Sequence, residues 1–285
     1  MSEQTGRIGA GSVVVATDGS PAAAAAVRWA ADEAVLSGRP LRILHVQPSS
    51  VFGLPDIPPP QAEEIRSTES RRILEEAAGL AAGRDIDVTT DNILGEVARA
   101  LREISRPDVL LVLGRRGRGR FAELLLGSTS LKVAGTTEGP VVVVRGDTHG
   151  PRGEIVVAVA FDLDHGRALE FAFAEARRRG AVLRAVHAWD VGEVFTPYAE
   201  SAPVVVDPAE TLADLLAPWR ADNPDVKVAE EIVSDHPAAA LTAASRRADL
   251  LVLGTHHRGA LGNLVFGSVG HAVLHHAHCP VAIIP

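Results

Sequence analysis

Short apolar runs alternate with longer amphipathic stretches along this chain, and the alternation predicts strands and helices in turn. "SVVVAT" is a continuous β-branched run, the pattern of a strand buried on both faces. "PAAAAAVRWAADEAVLSG" reads as a helix, with Pro21 at its start, alanine through its body and Gly38 at its stop. "LRILHV" is a second strand, and the proline-rich "PSSVFGLPDIPPP" after it reads as loop. "AEEIRSTESRRILEEAAGLAAG" is an amphipathic helix with carboxylates early and Gly83 near its end. Strand "IDVTTDNIL", helix "EVARALREIS", strand "DVLLVL", helix "SLKVAGTT" and strand "VVVVR" complete the series. Such alternation predicts a mainly parallel sheet with helices on both faces. Ligands of these sheets bind beyond the strand C-termini, where the strand order reverses.

The plan occurs twice. "DVLLVLGRRGRGRFAELLLGSTSLKVAGTTEGPVVVVR" matches "DLLVLGTHHRGALGNLVFGSVGHAVLHHAHCPVAIIP", with Gly114 and Gly254, and Gly127 and Gly267, each 140 residues apart. "AVRWAADEAVLSGRPLRILHV" parallels "ALEFAFAEARRRGAVLRAVHA" more loosely. A fixed offset through strand, loop and helix indicates tandem domains. We place them at 8–146 and 154–285, with the turn-forming "GDTHGPRG" between.

Composition narrows the function. A net charge of −8 argues against a general nucleic-acid binder, so any anion site must be local. No apolar run approaches the ~20 residues of a membrane helix, and "MSEQTGRIGAGS" has no signal core, so a cytoplasmic protein is expected. The lone Cys279 precludes an internal disulfide and reads as a small core residue at the start of a strand.

The candidate chemistry lies in "GRRGRGRFAELLLGST", Gly114 to Thr129. Gly114 ends a strand at the ligand edge, and Gly117 can turn successive N–H groups toward one point. Gly127 and Ser128 open the next helix, where Ser128 is expected as N-cap and the free N–H groups attract phosphate. Glycines in a strand-to-helix loop also serve plain turn geometry, and on spacing alone both readings stand. No G-x-x-x-x-G-K-[ST] run occurs, which excludes a P-loop. Arg115, Arg116, Arg118 and Arg120 read equally as a triphosphate screen or a solvated basic loop. His271 and His275 share a helix face but lack a third ligand, so no metal site is assigned.

Together, the front motif "VVVATDGSPAAAAAVRWA" and the back motif G-x2-G-x9-G-[ST] resemble the universal stress protein family in its tandem form. The resemblance implies two Rossmann-like (adenine nucleotide α-hydrolase-like) domains, each a mainly parallel five-stranded sheet. It implies that ATP, with Mg2+, is held in the first domain, its phosphates by Gly114, Gly117, Gly127 and Ser128 with Thr129 beside them. Ala16, Asp18 and Val46 would line the adenosine side. Asp18 in "TDGSP" also reads as a turn residue, and Val46 as core. The second copy keeps Gly254, Gly267 and Ser268, but His257 replaces the middle glycine and Ala160 stands where Asp18 sits. Its site is expected to be weaker or vacant, unless Asp162 or Asp164 substitutes through a shifted loop.

The implied function is a nucleotide-responsive regulator of the stress response acting on a protein partner. The alternative is a nucleotide-independent scaffold. No catalytic residue is assigned. The resemblance further implies pairing of the domains through their last strands, "PVVVVR" and "PVAIIP", and a homodimer.

Overall fold

The computed structural model describes residues 11–47, 59–115, 128–145, 150–189, 207–255 and 267–285. The chain divides into two compact units, residues 1–145 and 146–285. Unit 1 runs β1 (Val13–Ala16), α1 (Pro21–Ser37), β2 (Leu41–Gln47), α2 (Pro59–Ala81), β3 (Val88–Leu94), α3 (Val97–Ile104), β4 (Leu110–Gly114), α4 (Ser128–Ala134), β5 (Val141–Val144). Its sheet order is β3-β2-β1-β4-β5, and every pairing is parallel. Unit 2 repeats the series as β6 (Glu154–Ala158), α5 (Gly166–Arg179), β7 (Val182–Trp189), α6 (Pro208–Asp222), β8 (Val228–Ser234), α7 (Pro237–Ala244), β9 (Leu250–Gly254), α8 (Ser268–His276), β10 (Val281–Ile284). Its order is β8-β7-β6-β9-β10, again parallel. In each sheet the order reverses beside the first strand, between β1 and β4 and between β6 and β9.

The apolar runs become the sheet interiors. β4 and β9 share the sequence "LLVLG", and in both the four apolar residues are buried, as expected of strands covered on two faces. Cys279 is fully buried beside β10. α1 lays a face of small residues on the sheet, with Ala23, Ala26, Ala30, Ala31 and Ala34 all buried. Alanine lets the helix axis come close, and Gly114 accommodates that approach. A Cβ there would meet the Ala22 carbonyl oxygen at 2.7 Å.

Arg42 on β2 and Arg184 on β7 occupy equivalent positions, 142 residues apart. Arg42 pairs with Asp91 on β3 at 2.5 Å. Arg184 joins Glu154 on β6 (2.7 Å) and Glu231 on β8 (3.2 Å). The Glu154 hydrogen bond raises the Arg184 guanidinium above its ordinary value.

Two boundaries differ from expectation. α2 starts at Pro59, inside the run read as loop, because a proline in the first helical turn gives up only an N–H that has no helical partner. α1 and α5 both end on a left-handed glycine, Gly38 (φ 64) and Gly180 (φ 60), but α5 starts three residues later within the shared frame. Ser20 caps α1 by accepting from the Ala23 N–H (3.2 Å). His165, at the N-cap of α5, makes no such bond.

Candidate functional site

The chain leaves β1 at the point where the strand order of unit 1 reverses. The Thr17 N–H still donates to Leu44 (2.8 Å), after which the backbone turns away from the sheet. Asp18 makes the turn: its Oδ1 accepts from the Ser20 N–H at 3.0 Å, and the Thr17 hydroxyl accepts from the Gly19 N–H at 3.2 Å. Asp18 is thus a turn residue, half-buried at the sheet's C-terminal edge. Ala16 closes β1 opposite Leu44. Val46 is 7% exposed, so it is chiefly a core residue.

Gly114 ends β4 on the other side of the reversal. Its carbonyl accepts from the Ser130 hydroxyl (2.9 Å), which ties the first turn of α4 to the end of β4. Ser130 is buried. Ser128 is the first helical residue of α4, with the half-buried Thr129 next. Ser128 therefore is not the N-cap it was expected to be, since the helix begins one residue earlier. The same holds in unit 2, where Gly267 (φ −59, ψ 165) caps α8 and Ser268 follows inside it. Gly117, Gly127, Arg116, Arg118, Arg120 and His257 lie outside the described residues. The structure thus brings Ala16, Asp18, Val46, Gly114, Ser128 and Thr129 to one sheet edge.

Sequence reasoning passed over four side chains. Ser130 is the third residue of "STS", and only its helical position aims it at Gly114. His45 places Nδ1 2.8 Å from the Thr17 carbonyl oxygen, and His187 places Nδ1 2.9 Å from that of Val159. Both histidines tie the exit of a first strand, and their shared offset of 142 was the available signal. Gln47, next to Val46, accepts at Oε1 from Ser70 (3.1 Å) and Asn92 (3.2 Å). Its Nε2 is buried without a partner.

In unit 2 the bonds from Thr17 and His45 recur at Val159 and His187, which fixes Ala160 at the position of Asp18. Gly254, Gly267 and Ser268 come together around a cavity of about 350 Å³ that Ala160 also lines. Leu163 and His165, which precede the late start of α5, line this space. A Cβ on Gly254 would meet only the Ala168 Cβ at 3.5 Å and His165 Nδ1 at 3.9 Å, where Gly114 faces helix backbone. Asp162 and Asp164 do not line the cavity. Asp164 instead accepts from the Gly166 N–H (2.9 Å) in a turn of its own. Phe161, in the position of Gly19, stacks on His187 with ring centroids 3.7 Å apart. The rings of His271 and His275 approach to 4.5 Å. Among the described residues no group of three ligand-type side chains could hold a metal ion. Nor is any described helix long and apolar enough to cross a membrane.

Two tandem doubly wound α/β units, each with a small-residue edge where the strand order reverses, define a class of protein. The family model described as the universal stress protein family matches residues 10–145 and 152–285. A universal stress protein of Mycobacterium tuberculosis is 36% identical, covering 95% of this chain and 96% of the relative. A second from the same organism is 34% identical, covering 99% and 96%. The crystal structure of a universal stress protein from Archaeoglobus fulgidus superposes with a TM-score of 0.75 at 20% identity, covering 97% of this chain and 98% of that one. The chain belongs to the universal stress protein family.

Proposed function

We propose that this protein is a nucleotide-responsive regulator of the stress response that holds ATP at the edge of unit 1. One observation carries the reading. The Asp18 turn at the exit of β1 and the start of α4, pinned to Gly114 by Ser130, flank the same reversal of strand order. A carboxylate on one side suits the hydroxyl and amino donors of an adenosine. Backbone N–H groups at a helix start suit phosphate oxygens. Mg2+ would accompany ATP chiefly through the phosphates, as its oxygen preference and reluctance to dehydrate favour. The bound nucleotide would change the surface offered to a protein partner, and the proposal includes no turnover.

The second reading is a nucleotide-independent scaffold, and Gly114 itself favours it: the backbone of α1 requires a glycine there with or without a ligand. Mass spectrometry of the denatured, freshly purified chain separates the two. We expect co-purified ATP in the parent protein and none in Gly117→Asp at unchanged circular dichroism. Absence of nucleotide from both, and no binding on adding ATP, would leave the scaffold.

A further inference from the structure

The cavity of unit 2 lies beyond β6 and β9, where the strand order reverses, and its described lining differs in chemistry from the edge of unit 1. Its walls include Val159, Leu163, Val186, Ala188, Leu241 and Leu253. No carboxylate is among its described lining residues, so a ribose or an adenine amino group would find no side-chain acceptor of the Asp18 kind.

Its polar groups come from three elements, and each can donate a hydrogen bond. His165 is only 7% exposed. Its Nε2 is engaged by the Ala160 backbone, 2.9 Å from the amide nitrogen, while Nδ1 is buried with no hydrogen-bond partner. In the tautomer whose Nε2 accepts from the Ala160 N–H the proton sits on Nδ1, and this is the tautomer that a carboxylate head selects. Nε2 also lies within hydrogen-bond reach of the Ala160 carbonyl oxygen. The Thr255 hydroxyl, just beyond β9, is likewise buried and unpaired. The first turn of α8, Ser268 to Gly270, also lines the cavity, and no side chain caps it. Its N–H groups and helix dipole favour negative charge. Buried polar atoms are normally paired, so the two that are not call for a ligand.

We propose that unit 2 binds a small amphiphilic carboxylate, its head among His165, Thr255 and the start of α8 and its apolar body against Leu163, Val186 and Leu241. A cavity of about 350 Å³ is of a size that suits a compact organic ligand. The site does not depend on ATP binding in unit 1.

Calorimetric titration of the full chain with 2-naphthoate, with and without saturating ATP, tests it. The neutral counterpart 2-naphthalenemethanol is the control. We expect one naphthoate per chain, indifferent to ATP, and binding of the alcohol about tenfold weaker. Thr255→Val removes the unpaired hydroxyl at nearly constant volume. It is expected to weaken naphthoate about threefold to tenfold, the worth of one hydrogen bond, without lowering the thermal midpoint. Gly254→Val fills the space beside His165 and should abolish binding in a folded protein. No binding at millimolar naphthoate, displacement by ATP, equal binding of the alcohol, or an unchanged affinity in Thr255→Val would each overturn the proposal. Failure of ATP to bind would sink the nucleotide reading of unit 1 and leave this one standing.

Discussion

Gly114 lies so close to Ala22 that a Cβ on the glycine would sit 2.7 Å from the Ala22 carbonyl oxygen. The end of β4 and the first turn of α1 meet backbone to backbone at the proposed nucleotide edge. At the matching place in unit 2, Gly254 faces the Ala168 side chain at 3.5 Å. One glycine repeat therefore has two physical meanings.

Alanine substitution should separate them. Gly114→Ala overpacks a backbone contact and is expected to cost about 1–3 kcal/mol. Gly254→Ala makes only ordinary contact and should lie within about 0.5 kcal/mol of the parent. Gly139→Ala, whose Cβ would fall 1.9 Å from the Arg106 carbonyl oxygen, should be worse than either. Urea denaturation of the three variants checks the order, and equal costs at Gly114 and Gly254 would contradict it.

The Ser130 hydroxyl fixes the start of α4 to Gly114 (2.9 Å). Ser130→Ala should lose about 1 kcal/mol, the usual net value of such a bond. Amide hydrogen exchange should rise in α4 before it rises in β1 or β5. Uniform acceleration would show that the bond is not a local anchor.

Asp18 carries both a turn and, in the proposed function, a contact to adenosine. Asp18→Asn keeps an oxygen to accept from the Ser20 N–H and removes the charge. Stability should change little, while ATP affinity falls about tenfold or more, as expected for a hydrogen bond to a charged group. Equilibrium dialysis with labelled ATP reads the affinity. An unchanged value would remove Asp18 from the site.

Arg177 holds Asp225 in an exposed pair (2.7 Å), and the hydrogen bond lowers the Asp225 carboxyl below its ordinary 3.8. A carboxyl lowered in the folded state adds stability above its unfolded value and loses it as pH falls through the folded value. The deficit of Arg177→Gln should therefore be constant near neutrality and shrink as pH drops below 3.8. Salt should shrink it as well, because the pair faces solvent. Denaturation midpoints across pH and salt give the answer, and a deficit that grew on acidification would refute the assignment.

Much of the architecture was legible because local pattern and burial agree in it. "SVVVAT" and "LLVLG" are apolar without interruption, and a strand covered on two faces needs that. Gly38 and Gly180 stop their helices in the left-handed region, which glycine adopts without strain. The start of α2 was misjudged because prolines read as breakers except in a first turn, and only the tertiary fold says where that turn lies. The cap expected at Ser128 differs for a similar reason, since a helix boundary one residue off turns a cap position into the first helical one.

The sequence by itself determined the duplication, the parallel α/β order and the small-residue edges, because the 140-residue offset and the strand and helix periods are local properties of the chain. Only the tertiary structure decided what stands at each edge. It packs Ala22 against Gly114, turns Ser130 onto β4, starts α5 three residues late, and sets His165 and Thr255 at the border of one cavity. These outcomes depend on distances between segments far apart in the chain. No residue pattern encodes such distances until the helices settle on the sheet.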